Sequence, residues 1–166
     1  MELLLDTGSL RERIETLPLE SFAEGAPILK AGTSTGKLFI LVSGTAQVTK
    51  QDVEICQLAE PGTVLGEISA LLGQPHTADV TAVTACSFRV ADAAGFLRCD
   101  PVAALFVATV MARRLATANE AMVELRHGLS GEKPRGVIGR ALDRLGKALA
   151  PDVDPELARY MYAGWM

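Results

Sequence analysis

Between Gly66 and Val80 the chain reads Gly-Glu-Ile-Ser-Ala-Leu-Leu-Gly-Gln-Pro-His-Thr-Ala-Asp-Val. Here residue types and spacing suit one kind of chemistry, the holding of an anion or a sugar. The segment leaves a strand at Gly66, makes one or two helical turns and returns to a strand after Pro75. A short helix opening from a glycine presents N–H groups without helical partners and a positive dipole end, which favour a phosphate. Glu67, at the helix start, has two readings. It complements the dipole, or it accepts hydrogen bonds from a sugar hydroxyl. His76 and Thr77 follow Pro75 and bring one titratable ring and one hydroxyl to the same neighbourhood.

Other chemistries find less support. The only histidines, His76 and His127, stand far apart, so a metal enzyme built on a cluster of His and carboxylate ligands is not expected. No Gly-x-Ser-x-Gly, Cys/His dyad or paired-carboxylate motif marks a nucleophile or an acid–base pair. No catalytic residue, metal or cofactor is therefore assigned. Cys56, Cys86 and Cys99 lack CxxC spacing and read as free thiols in a reducing compartment, packed as small hydrophobes.

Positioning such a segment requires a rigid frame. From Phe22 to Val90 short apolar runs alternate with Gly, Pro, Thr and Asp: Pro27–Leu29, Leu38–Val42, Ala46–Val48, Ile55–Leu58 and Ala85–Val90. That rhythm predicts many short antiparallel strands in a roll or sandwich. Before it, Leu10–Leu17 is a short helical candidate with Ser9 as cap and Pro18 as stop. After it, Asp100-Pro101 is a strong helix start. Val102–Arg126 then runs without a breaker and is rich in Ala, Leu, Met and Arg. Leu105, Thr109, Ala112, Ala116, Asn119 and Val123 share a narrow face suited to packing on the roll or on a twin helix. Gly128–Gly136 reads as a linker, Val137–Leu149 as an amphipathic helix with basic flanks, and Tyr160–Trp165 as an aromatic terminus for docking or back-packing.

With 166 residues, of which 49% are hydrophobic, the chain can bury a core. A formal charge of −4 argues against nucleic acid as partner. No apolar run approaching the length of a membrane span stands out, and Met1–Asp6 is too short and acidic for a secretory signal, so a cytoplasmic address is expected.

The Gly66–Val80 segment resembles, without a gap, the phosphate-binding cassette of cyclic-nucleotide-binding domains, the sensors of catabolite-activator-type regulators and cyclic-nucleotide-gated channels. That cassette reads roughly Gly-Glu-(Leu/Ile/Met)-Ala-Leu, a few residues, then Pro-Arg-(Ser/Thr/Ala)-Ala-(Thr/Ser)-Val. Upstream, Ile28–Gly32 resembles the family's Ile-x-x-x-Gly strand and Leu38–Val48 its Leu-Tyr-x-Ile-x-x-Gly-x-Val-x-Val signature. Leu58–Glu67 resembles its Leu-x-x-Gly-x-x-x-Gly-Glu approach. The resemblance covers roughly residues 17–126. It implies a mainly β fold, an antiparallel β-roll or jelly roll with an N-terminal helix and long C-terminal helices. Residues 1–21 would be an N-terminal helical segment, 22–127 the sensor domain with its long helix at 101–127, and 128–166 a linker and helical extension.

The resemblance also implies a regulatory module that binds cyclic AMP or cyclic GMP. Its ligand-binding residues would be Gly66, Glu67, Ile68, Ser69, His76 and Thr77. Glu67 would hold the ribose 2′-hydroxyl, and the amides of Glu67 and Ile68 with Thr77 would meet the phosphate. Arg113 on the long helix lies where some channel members cap the base, or else forms a solvated pair with Arg114. Two positions depart from the family. His76 stands where its phosphate-pairing arginine is expected, and Asp79 replaces a small hydroxyl residue. Losing a charge-assisted bond costs about 1.5–3 kcal/mol, which implies weak, pH-tuned or altered binding. Asp79 would repel an anion or pair with His76. The alternative is a degenerate, ligand-free interaction module. Signal transmission would use Asp92–Asp100 as a hinge, and a protein partner or a second copy would meet the long helix and the extension. The roughly 40 residues after the long helix are too few for a winged-helix DNA-binding domain.

Overall fold

The computed structural model describes residues 7–128. The linker, the basic helix and the aromatic terminus expected beyond Gly128 lie outside the described residues. The chain divides at Arg114 into two compact units. The first opens with α1 (Thr7–Thr16), followed by β1 (Leu19–Phe22), β2 (Pro27–Leu29), β3 (Lys37–Ser43), β4 (Ala46–Lys50), β5 (Val53–Leu58) and β6 (Val64–Leu65). After α2 (Glu67–Leu72) come β7 (Asp79–Ala82), β8 (Cys86–Asp92) and α3 (Ala93–Cys99). The helix α4 (Pro101–Gly128) begins in this unit, and its residues from Leu115 belong to the second.

The strands form two four-stranded antiparallel sheets, ordered β1-β8-β3-β6 and β2-β7-β4-β5. Their inner faces share a core of Phe39, Leu41, Phe88, Val90, Leu29 and Val80, closed by edge-to-face contacts among Phe22, Phe39 and Phe88. This is the antiparallel roll expected from the spacing of apolar runs. The strand β3 explains why Leu38–Leu41 is an unbroken apolar run. Side chains alternate across a strand. Phe39 and Leu41 enter the inter-sheet core, while Leu38 and Ile40 enter a second core with Val64, Ala91 and Val107, against which Ile14 and Phe96 pack.

Several expectations need correction. Residues 19–21, counted in the N-terminal helical segment 1–21, form with Phe22 a strand paired with β8. Asp92–Asp100 carries the helix α3, capped by Asp92 Oδ2 accepting from Gly95 N–H, a placement that neither supports nor contradicts the expected hinge. The stripe by which α4 packs on the core beneath the sheet is Ala103, Val107, Val110 and Met111, so of the two roles expected for the face through Leu105, Thr109, Ala112, Ala116, Asn119 and Val123, packing on the roll is corrected. Cys86 is buried, but Cys56 and Cys99 are exposed. Pro101–Glu124 is long and apolar enough to pass for a membrane span, against the expectation of none. Its Ala103 and Val107, however, are part of the second core. The start of α4 is as expected: Asp100 Oδ1 accepts from Val102 and Ala103 N–H at 3.0 and 3.3 Å, and its other oxygen pairs with Arg13.

Candidate functional site

The strand β6 ends at Leu65, and at Gly66 the backbone turns with φ 87°. A Cβ at this position would stand 2.5 Å from the carbonyl oxygen of Lys37. Only glycine meets both demands. The helix α2 follows for six residues and stops at Gly73, whose N–H bonds Ser69 C=O. The Ser69 hydroxyl donates to Gln74 C=O and fixes the loop that leads to Pro75. His76 is then clamped by its own backbone: its N–H donates to Thr33 C=O at 2.8 Å, and its C=O accepts from Gly32 N–H at 2.9 Å. The cassette is thereby tied to the β2–β3 loop and returns into β7.

These elements bound a cavity of about 350 Å³, within the range of small-ligand sites. Leu29, Val48, Leu58, Leu65 and Val80 give it an apolar lining continuous with the inter-sheet core. Gly66, Glu67, Ile68, Ser69, His76 and Thr77 all line it, so the structure gathers six of the seven expected ligand residues in one place. Arg113 does not; it points to solvent. The arginine that reaches the cavity is its neighbour Arg114.

Two side chains dominate the polar part. Glu67 is only 3% exposed. One of its oxygens pairs with Arg114 Nη1, and Arg114 Nη2 donates to Val64 C=O at 2.7 Å. Burial pushes the Glu67 carboxyl above its usual range, with Arg114 opposing. His76 is 6% exposed, and its Nε2 lies 3.1 Å from Thr35 Oγ1. Burial lowers its pKa, so the ring is neutral near pH 7. Asp79 does not pair with it: its Oδ1 accepts from Ala31 N–H at 3.0 Å.

Besides the apolar lining and Ala78, two residues that can do chemistry, Arg114 and Cys56, were not foreseen as part of the site. Arg114 had a legible signal. It continues the 103–107–110–114 spacing of the buried α4 stripe, whereas Arg113 is turned away by one helical step of 100°. Cys56 had none, because the apolar run Ile55–Leu58 does not reveal which of its faces meets the cavity.

Residues 19–99 match the family model of the cyclic nucleotide-binding domain. Over 120 residues, 69% of this chain, the sequence is 30% identical to the cyclic nucleotide-gated potassium channel mll3241 of Mesorhizobium japonicum. The chain spans 33% of that relative's length. Two solved structures share the fold. The catabolite activator protein of Thermus thermophilus aligns with a TM-score of 0.61 at 22% identity, over 75% of this chain and 61% of that one. PKAR CBD2 bound to Sp-2Cl-cAMPS aligns with a TM-score of 0.56 at 24% identity, over 69% of this chain and 76% of that one. Residues 19–99, which match the cyclic nucleotide-binding domain model, thus hold both sheets and the cassette.

Proposed function

We propose that this chain is a cytoplasmic regulatory sensor, not an enzyme. Its cavity binds cyclic AMP or cyclic GMP weakly, and occupancy is passed through α4 to a protein partner or a second copy. The observation that carries this reading is Glu67, a nearly solvent-free carboxylate lining an apolar, ligand-sized cavity. A buried acceptor in such a place suits the hydroxyl of a sugar, which can donate to it without water. The family match supports the nucleotide as the source of that sugar. In this reading Glu67 receives the ribose 2′-hydroxyl, while Thr77 and the amides of Glu67 and Ile68 meet the cyclic phosphate. Arg114, which lines the cavity where Arg113 was expected to cap the base, is the contact by which α4 senses the pocket.

Titration calorimetry of the full chain with cyclic AMP and cyclic GMP tests the proposal. Saturable binding of one or both is expected, weakened at least tenfold in Glu67→Ala, whose fold is checked by circular dichroism. Absence of heat with both nucleotides at millimolar concentration would overturn it.

One observation favours a second reading, a ligand-free interaction module. Three of the cavity's polar side chains already have partners within the protein: Glu67 with Arg114, His76 with Thr35, Ser69 with Gln74 C=O. The same calorimetry on folded protein separates the two.

A further inference from the structure

The charge balance of the cavity limits what it can hold. Among its lining side chains Arg114 carries the one full positive charge, and that charge is engaged by Glu67 and Val64 C=O. An anion placed there meets no uncompensated cation. Moving an anion into such surroundings without a partner is expensive. Of the remaining lining side chains only His76 can become positive.

The segments around His76 carry Lys30, Lys37, Lys50, Glu54, Cys56, Glu67, Asp79 and Arg114, of which only Cys56, Glu67 and Arg114 line the cavity with it. Lys37 pairs with Glu20 at 2.9 Å, Asp79 is held by Ala31 N–H, and Glu67 is held by Arg114. Lys30 does not line the cavity. The ring lies against Gly66, its Cε1 3.9 Å from where a Cβ of that residue would be, so it sits at the start of the cassette helix.

Resting on the reading of the pocket as a cyclic-nucleotide site, we propose that the anionic ligand enters together with a proton, and that His76 accepts that proton. The free ring is neutral; the bound ring is an imidazolium beside the phosphate, still held by Thr35. The proton comes from solvent, and no covalent bond to the ligand forms. Because the ligand-bound state holds more protons, affinity falls as pH rises. The slope approaches about tenfold per pH unit between the free and bound pKa values of the ring. The pocket is thus a coincidence detector for nucleotide and acidity.

The test is calorimetry with cyclic AMP and cyclic GMP from pH 8 to pH 6, in paired buffers of different ionisation enthalpy that report proton uptake. Wild-type protein is expected to bind more tightly at the acid end, by about tenfold or more, with uptake of up to one proton. His76→Gln should bind weakly without this slope. Titration of the Glu67 carboxyl persists in that variant and is subtracted by the comparison. His76→Arg should bind more tightly than wild type across the range, with no uptake. Wild-type affinity that stays within about twofold from pH 8 to pH 6 without uptake, or an unchanged slope in His76→Gln, would overturn the coupling alone. Failure of all three proteins to bind at any pH would overturn the sensor reading itself, and the coupling with it.

Discussion

Glu67 and Arg114 need each other unequally. The carboxylate is almost wholly buried, whereas the arginine side chain is 39% exposed. Removing the arginine strands a charge that water cannot reach; removing the carboxylate leaves a cation that still touches solvent. Arg114→Gln is therefore expected to lower stability by about 1–3 kcal/mol, below the value for a fully buried pair. The loss depends on pH. Burial already raises the folded-state pKa of Glu67, and without Arg114 nothing opposes that rise. A carboxyl whose pKa is raised on folding favours the folded state at low pH and penalises it as pH climbs past the unfolded value. Urea unfolding should accordingly show a larger defect at pH 7 than at pH 5; equal defects would show that the pair does not govern Glu67. At this scale the sequence was partly legible. Gly66 and Glu67 were singled out by the resemblance of their segment to the cassette, since Gly-Glu before apolar residues is common, and the burial of the carboxylate was not written there. The Thr35–His76 contact, 41 positions apart, has no local trace.

The elements show where local signals suffice and where they fail. The start of α4 is written in Asp100-Pro101, a cap and a first-turn proline that act within one turn. Which face of α4 turns inward is set by the sheet it meets, so the apolar content of the helix does not give its phase. The strand β1 was hidden for a similar reason. Leu19-Glu20-Ser21-Phe22 is four residues long, and of these Phe22 packs against the inter-sheet core. The β4–β5 hairpin is a further case. Gln51 and Asp52 form its two-residue loop with φ of 52° and 61°, a turn that favours Asn-Gly. Neither residue announces such a turn, and left-handed backbone strains most side chains. Gln51→Asn combined with Asp52→Gly should therefore stabilise the protein by about 1 kcal/mol. Thermal melting would reveal it as a rise in Tm, and a fall would mean that these side chains make contacts that outweigh the strain.

Across the whole first unit, the aromatic trio, carried by three neighbouring strands of one sheet, fills that sheet's side of the inter-sheet core. Phe88 is fully buried and meets both Phe22 and Phe39 edge to face. Phe88→Ala should cost about 3–5 kcal/mol, a large share of what a domain of this size possesses. Chemical denaturation should show the loss as an early midpoint, while a shift under about 1 kcal/mol would mean that the sheets close over the gap. The fold class was legible because alternation of apolar runs and turn residues is a global pattern, insensitive to errors at single positions.

The strand β3 then has a consequence for the molecule's behaviour. Its odd and even side chains feed opposite layers, and one of those layers also floors the cavity. The partition between them is one peptide ribbon thick. A cavity-forming substitution in the helical layer, such as Val107→Ala, is therefore expected to change packing on the ligand side as well, because both layers rest on the same backbone.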